Sequence, residues 1–282
     1  MRERDRKEAG FWDHLEELRW RIVRSVIYVT VAMTAAWVFR EELLTLLRYP
    51  AEAGAAMAGI EDFRFRIFES AGGVILMMQI ALVAGVIIAS PFIFAEIWLF
   101  VEPALEEHER RYVIFMLPAA TLLFVSGVAF CYWISPKAFG FFFKFNEGIG
   151  VQPELTLAPY LYFLMRLFLA FGLVFEMPLV LMFMARVGFV SRRQLLAWWR
   201  YAVVIIFSIA AIATPTVDPV TMTLMAGPMI VLYVLSVVLC GFVEKKRDEG
   251  LREPAAAAKD ESQDHNGDPA AARTRQAERP RE

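Results

Sequence analysis

The sequence has few of the residues that build most enzyme active sites and metal centres. Its 282 residues include two cysteines and three histidines. The cysteines, Cys131 and Cys240, lie inside apolar runs without metal-ligand spacing, so neither a disulfide framework nor a metal cluster is indicated. His108 and Glu109 lack the second histidine of a zinc-binding helix, and the chain has no Gly-Lys-Ser/Thr loop to cradle phosphates. The sequence therefore predicts a protein that is not an enzyme and carries no metal or cofactor.

Charged residues are also missing from long parts of the chain. Hydrophobic residues make up 58% of the sequence, and the mean hydropathy is +0.47. No soluble domain of this size needs so much apolar surface, and the runs are long enough to cross a bilayer. They predict an all-α, polytopic membrane protein with six transmembrane helices. The predicted spans cover residues 22–39, 71–99, 112–135, 158–185, 198–214 and 220–243.

Two of these runs need comment. The first follows a basic segment and could pass for the apolar part of a signal peptide. Acidic residues crowd the segment before it, which favours a retained first helix. The fifth run is the shortest and lies at the lower limit for crossing the hydrocarbon. We also expect one or two short helices in the long loop 40–71.

Lys and Arg are unevenly distributed between alternate loops. Of these cations, 22 lie in segments on the side of the two termini, and 6 lie in loops on the opposite side. Positive charge gathers on the cytoplasmic side of membrane proteins, so we expect both termini in the cytoplasm. We divide the chain into an interfacial N-terminal helix (1–21), a six-helix domain (22–243) and a largely disordered cytoplasmic tail (244–282).

Prolines lie within or at the ends of several predicted spans. Each removes a backbone hydrogen bond and kinks its helix, which membranes tolerate where neighbours satisfy the freed carbonyl. We therefore expect a curved, concave assembly of kinked helices rather than a straight bundle. These prolines are Pro91, Pro118, Pro178 and Pro228.

The segment 14–21, immediately before the first run, has two distinct sides when drawn as a helix. Its apolar side comprises Trp12, Leu15, Leu18 and Ile22. Its polar side comprises His14, Glu17 and Arg21. We expect this helix to lie flat in the membrane interface and to present a carboxylate to the cytoplasm. The alternative is a start to the first transmembrane helix, with Glu17 and Arg21 as an ordinary i,i+4 ion pair.

The loop predicted after the second span is acidic. Residues 96–112 carry five glutamates and two arginines, on the side where cations normally gather. Acidic residues hardly affect topology, so a solvated loop is one interpretation. The other is that this loop and Glu17 together form a receptor for an arginine-rich ligand, since guanidinium pairs bidentately with carboxylate.

Two further acidic residues lie in or beside predicted spans. Glu176 lies in the fourth span, where a carboxylate is costly unless it is hydrated, paired or protonated. It is either a functional group or a structural one that caps the backbone opened by Pro178. Asp218 lies in a tight turn between two prolines, where a turn-forming aspartate is common.

In combination these motifs resemble the TatC family, the receptor subunit of the twin-arginine protein translocase. The resemblance runs from about His14 to Val243. It is carried by HLEELR at 14–19, ASPF at 89–92, Phe100 with PAL at 103–105 and HERR at 108–111, FG at 171–172 with FEMP at 175–178, and TP at 214–215 with Asp218.

The resemblance implies a glove-like receptor for folded precursor proteins whose signal peptides carry two adjacent arginines. Glu17 and Glu109 would contact the arginine pair, and Arg19, Phe100 and Pro91 would shape the region around them. A buried polar or partner site would comprise Glu176, Gln79 and Asp218; many relatives carry a lysine near the place of Gln79.

The resemblance also implies a setting and partners. The chain would be a multi-pass protein of the bacterial cytoplasmic (inner) membrane, in contact with the lipid bilayer. It would work with single-span TatA- and TatB-type proteins and with copies of itself, driven by the proton motive force. We expect no nucleic-acid partner.

Two other functions stay open from the sequence. A secondary transporter would use Glu176 as a proton-coupled carboxylate, but it needs convergent polar groups at mid-depth. Apart from Gln79 and Thr121 the spans offer few. A scaffold that only assembles other membrane subunits would use Glu176 as a helix-pairing group.

Overall fold

The computed structural model describes residues 3–66, 72–102, 107–148, 155–213, 219, 222–223 and 225–244. Side chains are described within these ranges except at 3–11, 72, 107–115 and 213. The regular elements there are all helices. They are α1 (Glu3–Val38), α2 (Arg40–Ala58), α3 (Gly72–Val101), α4 (Glu107–Gly148), α5 (Leu157–Phe175), α6 (Met177–Val187), α7 (Arg192–Ala197), α8 (Trp199–Ala213) and α9 (Met225–Glu244).

Five stretches within the described ranges are long and apolar enough to cross a membrane. They are Trp12–Val38, Gly73–Val101, Met116–Gly148, Leu157–Val187 and Met225–Glu244. The all-helical, multi-pass prediction is therefore confirmed. The 15 residues of α8 extend about 22 Å at roughly 1.5 Å per residue, less than the roughly 30 Å of hydrocarbon. The count of six spans consequently stays a prediction.

The main core lies where α2, α4 and α5 meet. Ala51 and Ala55 of α2 and Leu161 and Leu164 of α5 are completely buried. The hydroxyl of Tyr160 donates a hydrogen bond of 2.7 Å to the Leu47 carbonyl, which joins α5 to α2 inside this core. The predicted helix within loop 40–71 is thus confirmed as α2.

Helix α4 is longer than the predicted third span. It has 42 residues and continues through Pro136 to Gly148, where the sequence predicted a loop from 135 onward. The residues after Pro136 are rich in phenylalanine, and Phe139 and Phe143 are buried. A Cβ on Gly54 of α2 would lie 2.7 Å from the Phe139 Cβ, so the two helices are in close contact. This aromatic packing keeps the segment helical.

Helix α1 packs against α3 through small residues. Ala32 and Ala36 are buried, and a Cβ on Gly85 would lie 2.8 Å from the Met33 backbone nitrogen. Small residues let membrane helices approach closely. Most of the α1 surface faces outward, because only 6% of its apolar window is buried. α1 is thus an outer helix held against α3.

The predicted fourth span is interrupted at Glu176. α5 ends at Phe175, α6 begins at Met177, and Glu176 forms a turn between them. Pro178 lies at the start of α6, where its missing N–H is tolerated. The break that Pro178 indicated therefore falls two residues before it.

Candidate functional site

The polar side of the segment 14–21 faces α3. The His14 ring stacks on the Phe100 ring, with centroids 4.3 Å apart and planes at 9°. Trp12 and Ile22, on the apolar side, are 65% and 54% exposed. α1 runs unbroken through residues 21 and 22, so the structure shows the start of a long helix rather than a separate interfacial helix. The alternative interpretation of this segment matches the structure better.

Arg21 joins the two helices at this point. Its Nε donates to Glu17 Oε1 at 3.0 Å, and its Nη2 also contacts that oxygen. Nη1 donates to Glu96 Oε2 at 3.1 Å, and Nη2 donates to the Leu99 carbonyl at 3.1 Å. The Arg21 guanidinium therefore bonds to one carboxylate on each helix and to a backbone carbonyl near the C-terminal end of α3.

Glu96 is the residue that sequence reasoning missed. It was counted with an acidic loop, but α3 continues to Val101, and Glu96 is a buried helical residue with 6% exposure. Its carboxylate also lies 3.9 Å from Arg24 Nη1 and accepts a 3.5 Å hydrogen bond from the Tyr28 hydroxyl. The apolar residues on both sides of Glu96 were the available signal, since they are typical of a helix that has not yet ended.

We call the side chains of His14, Glu17, Arg21, Arg24, Tyr28 and Glu96 the α1–α3 ion cluster. Its exposure is graded. The side chain of Glu17 is 33% exposed, whereas that of Glu96 is 8% exposed. A ligand that approaches from the solvent therefore reaches Glu17 before it reaches Glu96.

A cavity of about 470 Å³ adjoins the cluster between α1 and α3. Arg21, Glu96 and Phe100 line it together with mostly apolar side chains, among them Leu18, Val26 and Leu82. Its two charged residues, Arg21 and Glu96, pair with each other, and the rest of its lining is mostly apolar. Such a cavity suits the apolar segment of a ligand.

The other predicted binding residues are distributed as follows. Arg19 is exposed and lies outside the cluster, and Pro91 is half-buried inside α3. Glu109 lies in α4, but its side chain lies outside the described residues. The convergence of Glu17 and Glu109 on one ligand therefore stays a prediction.

The predicted buried polar site is only partly assembled. Glu176 is 8% exposed, and its Oε1 has no hydrogen-bond partner in the part of the chain that the structure describes. Gln79 is exposed on α3, which differs from the prediction of a shared buried site. Asp218 lies outside the described residues. Thr121, the other polar group in the predicted spans, donates to the Leu117 carbonyl of its own helix.

Comparisons with known proteins extend these observations. Residues 13–228 match the model of the family described as Sec-independent protein translocase protein (TatC). The chain is 38% identical over 253 residues to the TatC protein of Desulforapulum autotrophicum, which covers 89% of this chain and 92% of that protein. It is 33% identical over 252 residues to the TatC protein of Koribacter versatilis, with coverages of 89% and 92%.

A solved structure is similar over nearly its full length. It is described as the crystal structure of the twin-arginine translocase receptor TatC, and it matches with a TM-score of 0.73 at 33% identity. The match covers 82% of this chain and 99% of that chain. The similarity therefore includes the arrangement of the helices as well as the sequence.

Proposed function

Because the chain belongs to the TatC family of Sec-independent protein translocase proteins, we propose that it binds the signal peptides of folded precursor proteins. Each peptide would carry two adjacent arginines and would bind at the cytoplasmic face of the bacterial inner membrane. The protein would be the receptor that organises export of these precursors across that membrane.

One observation supports this proposal most strongly. The Glu17 carboxylate already holds a guanidinium, that of Arg21, through two N–H groups. Both N–H groups point at one oxygen, Oε1, so Glu17 is placed to accept charge-assisted hydrogen bonds from an arginine. The adjoining cavity offers apolar surface to the rest of a peptide. A signal peptide supplies both chemistries, because its arginines precede an apolar segment.

The remaining site residues have proposed roles in the same receptor. Glu109 would hold the second arginine, and Arg19 would limit the approach of other cations. Phe100 presents an aromatic ring at the cavity wall. Pro91 would set the path of α3 beneath it.

The translocase setting brings further proposals. Both termini would face the cytoplasm, and α8 and α9 would complete six spans. Single-span TatA- and TatB-type proteins would associate with the receptor, and Glu176, whose buried oxygen lacks a described partner, would contribute to that contact. The proton motive force would drive transport.

Site-directed photocrosslinking tests the binding site. A photoreactive group placed beside the arginines of a twin-arginine signal peptide should crosslink to the protein, and crosslinking of the twin-lysine peptide should fall strongly because lysine cannot pair bidentately. Glu17→Ala or Glu109→Ala should each weaken crosslinking. Unchanged crosslinking in both variants, with normal membrane insertion, would contradict the proposed site.

A further inference from the structure

The α1–α3 ion cluster contains the chemical group that the proposed ligand would bring. Arg21 places its guanidinium on Glu17, the carboxylate expected to receive a peptide arginine. A peptide guanidinium cannot use the same oxygen, Oε1, until Arg21 gives up these contacts, and the second oxygen, Oε2, lies 3.5 Å from His14 Nδ1. Binding at Glu17 Oε1 is therefore an exchange of one guanidinium for another.

We infer that Arg21 is an internal competitor for the signal peptide, and that Glu96 is the positioning residue that receives Arg21 when the peptide displaces it from Glu17. This inference rests on the proposed function. It assigns to Arg21 a role in affinity, in addition to its role in joining α1 to α3.

The geometry allows the exchange without stranding a buried charge. Arg21 donates to Glu96 and to the Leu99 carbonyl through Nη1 and Nη2, both at 3.1 Å. A guanidinium has five N–H donors, so these contacts persist after Glu17 is released. The contact that is lost involves the more exposed carboxylate, and exposed ion pairs are weak. Losing the buried Glu96 contact would cost far more.

Glu96 is built to hold a cation permanently. It is 6% exposed and also has Arg24 and the Tyr28 hydroxyl within 3.9 Å and 3.5 Å of its carboxylate oxygens. These neighbours fix the carboxylate and leave Arg21 in place beside it. Without Glu96, Arg21 would have only Glu17 and the Leu99 carbonyl as partners, and it would be more difficult for a peptide to displace from Glu17.

The competitor acts equally on arginine and lysine peptides. Any ligand that uses Glu17 Oε1 must displace the same two N–H contacts of Arg21, so the free-energy cost of displacement is the same for each ligand. Selectivity for arginine comes from the contact that the ligand itself makes, because a lysine ammonium offers only a point charge. The internal arginine therefore lowers both affinities by the same factor and leaves their ratio unchanged.

Peptide affinity measures this directly. The full chain in lipid nanodiscs is titrated with a labelled twin-arginine signal peptide and with its twin-lysine variant at one ionic strength. Arg21→Gln should tighten twin-arginine binding by about two- to fivefold, the range expected for loss of an exposed ion pair. It should tighten twin-lysine binding by the same factor, so that the ratio of the two affinities stays unchanged. Glu96→Gln should weaken binding of both peptides.

Arg48→Gln is the matched control. Arg48 also pairs with a glutamate four residues away, Glu52, at 2.9 Å, but it lies on α2. It should leave both affinities unchanged. If Arg21→Gln does not fold, Arg21→Lys retains a cation for Glu96. Because lysine would hold Glu17 through a point charge only, this variant should also tighten the binding of both peptides.

The outcomes separate the two proposals. If Glu17→Gln still weakens binding, then weaker or unchanged twin-arginine binding by folded Arg21→Gln, or by folded Arg21→Lys, would overturn the competitor role. If Glu17→Gln itself leaves both affinities unchanged, the proposed binding site is wrong and the competitor role is overturned with it.

Discussion

At the scale of single residues, the protein places its polar groups where a partner is available. Glu96 and Arg21 are 75 positions apart in sequence and meet at 3.1 Å. In the core, the Tyr160 hydroxyl likewise donates a hydrogen bond to a distant residue, at the Leu47 carbonyl. A buried polar group without a partner is costly, so these pairs fix how the helices dock. Glu176 is the exception among the described residues, since one of its buried oxygens is unpaired.

The Tyr160 hydroxyl gives a prediction at this scale. Tyr160→Phe removes the donor to Leu47 and leaves a buried carbonyl without that partner, so we expect a loss of about 1–2 kcal/mol of stability. Thermal unfolding of the purified protein in detergent measures it. Tyr162→Phe on the same helix is the control, because Tyr162 is only half-buried. Equal losses in both variants would contradict the importance of this bond.

At the scale of helices, close approach between backbones decides which elements pack. Gly85 of α3 lies against Met33 of α1, and Gly127 of α4 lies against Phe171 of α5, where an added Cβ would meet a backbone oxygen at 2.6 Å. Aromatic residues act in the opposite way and extend α4 beyond its predicted end. Side-chain size therefore sets both the spacing and the length of these helices.

Gly85→Ala tests the α1–α3 contact. An alanine normally stabilises a helix by about 1 kcal/mol relative to glycine, but here its Cβ would clash with the Met33 backbone. We expect a net loss of about 1–3 kcal/mol, as for other overpacked sites, and weaker signal-peptide binding because Arg21 moves away from Glu96. Gly73→Ala, where nothing lies within 4 Å, should be neutral or stabilising. Thermal unfolding distinguishes them, and equal behaviour would contradict the clash.

At the scale of the whole molecule, the main core lies around α2, α4 and α5, and a smaller buried cluster joins α3, α4 and α6. α1 lies on the outer side against α3. This arrangement leaves the α1–α3 ion cluster and its cavity at the edge of the protein rather than in its centre. The location suits a receptor whose ligand reaches the cavity laterally, from the edge of the protein that faces the surrounding membrane. It suits a central solute pathway less well.

The orientation of the molecule is directly testable. Single cysteines that replace Lys144 or Arg193 in separate variants should react with a membrane-impermeant thiol reagent from opposite sides of the membrane. Position 193 should react from the cytoplasmic side, because cations gather there. The native Cys131 and Cys240 are buried and should react slowly; a variant with both replaced by serine provides the background. Labelling of both positions from the same side would contradict the predicted topology.

The sequence by itself determined the class of protein. Whether a run can cross the hydrocarbon depends on its own length and apolar residues, so hydropathy alone predicted a multi-pass helical protein. The motifs around Glu17, Phe100 and Glu176 were sufficient to indicate the family, because they are local in sequence. Pro178 likewise indicated a break near Glu176.

Only the tertiary structure decided which groups meet. It turned the polar side of the segment 14–21 toward α3, placed Glu96, which had been counted with the acidic loop, in a buried ion pair, and extended α4 to Gly148. It also left Gln79 exposed. Periodicity shows which residues share a face of a helix, but the partner of that face depends on packing between helices that are distant in sequence. That packing is a property of the assembled fold.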